Sequence, residues 1–405
     1  MSEQTRKPLQ GIKVVELATY VAAPVCGRML ADFGADVIKI EGFKGDPWRE
    51  TAKACTFTGD EENPVFDIYN AGKKSIRMNI KTAEGKKLLE EMIAQADIFI
   101  SNNRTASLKR NGLDYETLHA KYPSLICVTI NGYGDKGPDA AAPGFDNVAF
   151  WTRSGFLMDM SVKSEQSYPV LSPTGSGDTV AGAMLFGGVM TALFQREMTG
   201  EGDHVTTALY NNSVWMLASM ILQAQDKYGV KFPKTRTMSS PFSSPYRCQD
   251  GEWLCITVLD YDRYRDTIFR ILGIEEEMSA FNIPTQADIK KQCADIIPIM
   301  ERAFAKKPCD EWLKLLKAAD VVCGRLNHMR EVSFDEQALV NRFIQPYRCH
   351  NGEECMMATP PIRLASQEVP LAKGAPLNGE DTLAVLRQLG YDEERIEALK
   401  ASGTI

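Results

Sequence analysis

The sequence predicts an α/β protein, a parallel sheet covered by helices on both faces and joined to a smaller α+β domain. Three observations carry this prediction. Short apolar runs alternate with helical periodicity through the N-terminal third, a glycine- and alanine-rich apolar segment follows, and near residue 228 the composition turns to proline, serine and basic residues. A chain of 405 residues is long for one simple core and suits two domains, and a hydrophobic share of 44% supplies ample material to bury.

Residues 12–17 form a short apolar strand, 24–33 a helix closed by Gly34, and 36–41 a second strand, together a βαβ unit. The alternation continues with a helix over 82–95, a strand over 96–100, a helix over 114–121 and a strand over 125–130. Residues 179–194 read as a buried helix, and after the turn-rich TGEGD run comes a strand over 205–209. The stretch KFPKTRTMSSPFSSP then opens the second domain, placed at 228–330 with strand signals and the amphipathic ADIKKQCADIIPIMERAF. The closing PLNGEDTLAVLRQLGYDEERIEAL holds two helices expected to return to the first domain, which therefore comprises 1–227 and 331–405. Two similar runs, YRCQDGE from Tyr246 and YRCHNGE from Tyr347, set a D-G or N-G turn between strand-like flanks and read as hairpins.

Composition excludes several classes of function. With 53 acidic against 46 basic residues, a net charge of -7 and no long block of one sign, nucleic acid is not the expected partner. The polar start and the lack of any apolar run of 18 residues point away from secretion and membrane insertion and toward the cytoplasm. Ten scattered cysteines in so large a chain read as reduced thiols. Cys248, Cys255, Cys349, His350 and Cys355 fall in the two hairpins, but their spacing is wider than the close pairs of structural zinc sites, so no metal is expected. The four histidines, His119, His204, His328 and His350, sit in no nucleophile motif, which argues against a Ser-His or Cys-His hydrolase. Where a dinucleotide fold would carry G-x-G-x-x-G, this chain reads ATYVAAPVCG.

What remains is Gly175-Ser176-Gly177-Asp178-Thr179, an acidic residue after small ones at the start of an apolar helix. Small neighbours let a ligand approach the carboxylate, and free N–H groups at a helix start favour negative charge. Aspartate is also a common N-cap, and spacing alone leaves both readings open.

Over nearly its whole length the chain resembles the family III CoA-transferases, the CaiB/BaiF family. The resemblance is carried by LQGIKVVELATYVAAP, LADFGADVIKIE followed by GD, GKKSIRMNIKTAEGKKLL, ADIFISNNR, NGLDYETL, YPSLI, GSGD, TGEGDHV and PLNGEDT, in that order. It implies that Asp178 is the nucleophile, and that the fold is a large Rossmann-like domain from both chain ends, a smaller middle domain and an interlocked homodimer. Matching positions for coenzyme A are Val21 and Ala22, Met78, Asn79, Ile80 and Lys81, Asn102, Asn103 and Arg104, Arg110, and Ala142, Pro143, Gly144 and Phe145. Lys81, Arg104 and Arg110 suit the phosphates of CoA. After Glu41, where relatives often carry a basic residue, this chain has Gly42, with Lys44 as the possible substitute.

The implied chemistry runs through a mixed anhydride and an aspartyl-CoA thioester, with no cofactor beyond CoA as co-substrate. It calls for backbone N–H groups around the oxyanion and a loop that excludes water, for which 239–244 is the candidate. The run 132–155 most resembles the branch serving (R)-2-hydroxyacids in amino-acid fermentation, including leucine degradation. That branch implies transfer from an acyl- or enoyl-CoA such as isocaprenoyl-CoA to (R)-2-hydroxyisocaproate, with (R)-phenyllactate as the near alternative and a 2-hydroxyacyl-CoA dehydratase as a functional partner. Phe150, Trp151, Met158 and Met160 are either an acyl pocket or plain core. An acyl-CoA racemase of the same fold and a non-catalytic CoA-binding protein stay as alternatives.

Overall fold

The computed structural model describes residues 6–51, 63–161, 169–232, 240–349, 352–367 and 374–405. The chain divides into two compact units, one of Met1–Phe156, Leu171–Ile221 and Glu336–Ile405, the other of Leu157–Val170 and Leu222–Asp335. The sequence-based boundaries at 228 and 330 lie a few residues inside the second unit, and the excursion at 157–170 carries no compositional mark that would announce it.

The first unit is built on six strands, β1 (Lys13–Leu17), β2 (Asp36–Glu41), β3 (Lys74–Arg77), β4 (Ile98–Ser101), β5 (Ile126–Asn131) and β6 (His204–Ala208). All pair in parallel, in the order β3-β2-β1-β4-β5-β6. That is the doubly wound order of dinucleotide-binding folds. The central strands are buried along nearly their whole length, as strands covered on both faces are. Strand β3, with two charged residues in KSIR, has too little apolar signal to be found from sequence. The first helix spans Ala22–Asp32 rather than 24–33, because Pro24 sits in its first turn, where a missing N–H costs nothing.

The strand order reverses between β1 and β4, and in open α/β sheets a crevice forms beyond the carboxyl ends at that point. Side chains stitch its two lips together. Asn102 accepts from the Thr19 amide at 3.1 Å and donates to the Thr19 carbonyl at 2.7 Å, while the Ser101 hydroxyl donates to the Leu17 carbonyl at 2.9 Å.

The helix expected to be buried is buried on one face only. It spans Ser176–Thr199 and packs Ala181, Gly182, Leu185 and Val189 inward, while Phe194 and Met198 are 70% and 71% exposed. Both faces are apolar, so the sequence held no contrast to show which one is covered. A Cβ on Gly182 would lie 2.4 Å from the Ala22 carbonyl oxygen, so this glycine permits the close contact with the first helix. It is the one described helix long and apolar enough to cross a membrane. The chain end returns to the sheet. Val385, Leu386, Ile396 and Leu399, from the helices Thr382–Gln388 and Glu393–Ala401, join a core with Val15, Ile40, Ile76 and Phe99.

The second unit sets an antiparallel sheet, β7 (Ser243–Arg247), β8 (Trp253–Thr257) and β9 (Cys323–Arg325), around a core with Tyr246, Phe304 and Trp312. The predicted closing loop at 239–244 is corrected by this sheet. Ser239 lies outside the described residues, Phe242 is fully buried, and Ser243 and Ser244 begin β7, whose alternation buries Ser244 and Tyr246. The matching hairpin of β10 (Ile344–Arg348) and β11 (Glu354–Ala358) belongs to the first unit. The two hairpins close alike, with Cys248 donating to the Glu252 carbonyl and Cys349 to that of Glu353, each at 2.8 Å. His350 lies outside the described residues, among which no three His, Cys, Asp or Glu side chains gather to hold a metal.

Candidate active site

The crevice holds a cavity of about 300 Å³. Of the residues expected to meet CoA, it brings together Val21, Ala22, Asn102, Asn103, Arg104, Ala142, Pro143, Gly144 and Phe145, and Asp178 lines it too. Met78, Asn79, Ile80 and Lys81 stand apart, beyond β3 at the sheet edge, and Arg110 is exposed in the last turn of the Thr105–Asn111 helix. Gly42 and Lys44 are exposed and line no part of it. Thr19, Tyr20, Asn131 and Leu209 line it unforeseen, although the rule that ligands meet the carboxyl ends of strands points to all four.

Asp178 is the third residue of its helix, and it is not the cap. Gly175 occupies the N-cap position with φ +77°, and the capping acceptor arrives from elsewhere in the chain. Asp146 accepts from the Gly175 amide at 2.9 Å and from the Asp178 amide at 3.0 Å. A Cβ on Gly177 would stand 2.3 Å from Oδ1 of Asp146 and 2.6 Å from Cγ of Phe150, so only glycine lets the helix start settle there. Phe150 and Trp151 are therefore core beneath the helix start rather than an acyl pocket, and Met158 and Met160 belong to the other unit. Asp146, next to Phe145, has no sequence signal for this role, which exists only across the fold.

With capping done by Asp146, the Asp178 carboxylate makes no hydrogen bond or ion pair among the described residues. Burial, and then the negative Asp146 nearby, push its pKa up to about 7. Asp146 is itself pushed up by burial, against the pull of the Gly175 and Asp178 amides. The amides around Asp178 are occupied. Gly175 and Asp178 donate to Asp146, Ser176 to the Pro173 carbonyl at 3.1 Å and Thr179 to that of Gly175 at 3.0 Å. The oxyanion donors expected beside Asp178 are thus already bonded.

The turn after β1 rests on buried charge. Glu16 bridges Lys73 at 2.8 Å and Lys39 at 3.1 Å, and Lys39 reaches Asp46 at 2.9 Å, all with fully buried side chains on the strand side of the crevice. Burial alone would raise the Glu16 carboxyl, but the Lys73 and Lys39 ammoniums hold it below its ordinary value. Burial also brings the Lys73 ammonium down to about 8 against the pull of Glu16. Asp46 in turn accepts from the Tyr20 amide at 3.0 Å and the Trp48 amide at 2.9 Å. Tyr20 has φ +64°, a conformation that costs a residue with a bulky side chain about 1–3 kcal/mol.

The doubly wound α/β sheet thus carries a crevice with an uncommitted carboxylate of raised pKa at its wall, the kind of place where the active site of an α/β enzyme is sought. Residues 9–382 match the family described as CoA-transferase family III, and the chain belongs to that family. It is an enzyme, a CoA-transferase acting on acyl-CoA and carboxylate substrates. It is 34% identical over 401 residues to the (R)-2-hydroxy-4-methylpentanoate CoA-transferase of Clostridioides difficile, covering 98% of this chain and 99% of that one. It is 36% identical over 402 residues to the cinnamoyl-CoA:phenyllactate CoA-transferase of Clostridium sporogenes, covering 98% and 97%. A CAIB/BAIF family protein from Brucella suis has the same fold, with a TM-score of 0.79 at 27% identity over 95% of this chain and 100% of that one.

Proposed function

We propose that the enzyme transfers CoA from an acyl- or enoyl-CoA to (R)-2-hydroxyisocaproate, with Asp178 as the nucleophile. The observation that carries this reading is the division of labour at the helix start, where Asp146 does the capping and Asp178 faces the cavity with its oxygens uncommitted. The ionised carboxylate attacks the donor's carbonyl carbon, the carbon–sulfur bond breaks, and a mixed anhydride and CoA thiolate result. The thiolate then attacks the aspartyl carbonyl, releasing the donor acid and leaving an aspartyl-CoA thioester. The acceptor carboxylate attacks that thioester, and the thiolate displaced takes the acceptor's acyl group from the second anhydride. Asp178 is regenerated, and no net proton or electron is gained or lost.

The acid is inferred from the activities of two relatives, one a CoA-transferase of 2-hydroxy-4-methylpentanoate, which is 2-hydroxyisocaproate, the other of phenyllactate. The same reading makes the enzyme a cytoplasmic homodimer whose product a 2-hydroxyacyl-CoA dehydratase consumes, with CoA as co-substrate and no other cofactor. Arg104, at the cavity, meets a CoA phosphate, so Arg104→Ala raises KM for the CoA ester and leaves kcat nearly unchanged. The test of the central claim is to incubate the enzyme with isocaproyl-CoA and trap it with hydroxylamine or borohydride. Modification of Asp178 alone is expected, and an adduct on another residue would sink the assignment.

A further inference from the structure

We propose that Tyr20 is a specificity-determining residue: its ring, fixed by a strained backbone that Asp46 enforces, forms with Phe145 the apolar surface against which the acceptor acid's side chain lies. This deepens the 2-hydroxyacid reading and rests on it. In doubly wound folds the turn after the first strand ordinarily recruits glycine, because the backbone there must bend tightly around the ligand. Here a tyrosine occupies that turn with φ +64°. A large side chain in the left-handed region persists only where the surroundings over-determine it, and such residues cluster at functional sites.

The surroundings do over-determine it. Lys39 donates to the Ala18 carbonyl at 2.8 Å, Asn102 holds both polar backbone atoms of Thr19, and Asp46 takes the Tyr20 amide. Three consecutive residues are thus pinned by side chains from other strands and loops. Asp46 is held by Lys39, Lys39 by Glu16 and Glu16 by Lys73, so the buried network ends at the Tyr20 amide. Glycine would meet the same turn without strain, and what tyrosine adds is a ring. Tyr20 and Phe145 both line the cavity, their rings edge to face with centroids 5.3 Å apart and an interplanar angle of 80°. An acid whose carboxylate reaches Asp178, which lines the same cavity, has these rings beside its tail, which suits a branched aliphatic or aryl group. Asp46, which touches no substrate in this arrangement, is a positioning residue.

The test compares kcat/KM for (R)-2-hydroxyisocaproate and (R)-phenyllactate with that for (R)-lactate, using isocaproyl-CoA as donor. Tyr20→Gly keeps a residue at home in this backbone and removes the ring. The ratio of bulky to small acid is expected to fall about tenfold or more, the size of one lost apolar contact, with a melting temperature no lower than that of wild type. Tyr20→Phe keeps the ratio. Asp46→Asn lowers the ratio in the wild-type background and leaves it unmoved in the Tyr20→Gly background, because it acts through the ring. An unchanged ratio in Tyr20→Gly, an equal loss in Tyr20→Phe, or an additive effect of Asp46→Asn would each overturn the proposal. A wild-type enzyme that charges none of the three acids would instead overturn the 2-hydroxyacid reading, and this inference with it.

Discussion

Asp178 combines two properties that stability alone would not keep together, a carboxylate drawn out of water and no partner to compensate it. It protonates near 7 in the folded chain against an ordinary 3.8, so between those values the folded state binds the extra proton and stability falls as pH rises. Removing the charge therefore helps the fold. Asp178→Asn is expected to melt above wild type at pH 8, by on the order of 1–3 kcal/mol, with the advantage gone below pH 4. Its transfer activity is expected to be lost at every pH, because an amide is a very poor nucleophile. Thermal melts at the two pH values, beside a transfer assay, check both halves. For the wild type, kcat/KM should rise with pH through about 7 as Asp178 ionises. Asp146→Asn removes the like charge, lowers the Asp178 pKa and moves that rise to lower pH, with about 1 kcal/mol lost because the amide nitrogen cannot accept the second backbone N–H. A profile that stays in place would separate Asp146 from the electrostatics of the site.

The Ser176–Thr199 helix serves the site through its first turn and the fold through the next two. Gly177 brings the helix start against Asp146 and Phe150, and Gly182 seats its middle on the Ala22–Asp32 helix. A methyl at the first position has nowhere to go, since both neighbours are buried and one is an aromatic ring. Gly177→Ala is expected to cost about 1–3 kcal/mol by overpacking and to depress kcat by displacing Asp178 from the cavity wall. Denaturant unfolding measures the first effect and saturating-substrate kinetics the second. A variant that loses stability but keeps kcat would show that the helix start tolerates displacement.

At the scale of the whole molecule, the outer face of the same helix leaves Met184, Phe194 and Met198 exposed, and Trp215 is 73% exposed nearby in the chain. The homodimer proposed above would cover this apolar surface. Phe194→Glu is therefore expected to weaken self-association, read as a fall in sedimentation coefficient with dilution, while a wild type that sediments as a monomer would remove the dimer from the reading. Legible in the sequence alone are the α/β class, five of the six parallel strands, the two hairpins, the family and Asp178 as the candidate nucleophile. These are carried by local periodicity, turn chemistry and contiguous motifs, all of which act over a few residues. The folded chain alone settles which carboxylate caps and which is left uncommitted, since Asp146 and Asp178 meet across 32 positions of chain. It also decided that the apolar helix buries a single face, that Ser243 and Ser244 belong to a strand, and that Tyr20 takes a conformation ordinarily left to glycine. Each of those outcomes depends on groups far apart in sequence competing for the same space and the same hydrogen bonds, and that competition exists only once the chain has folded.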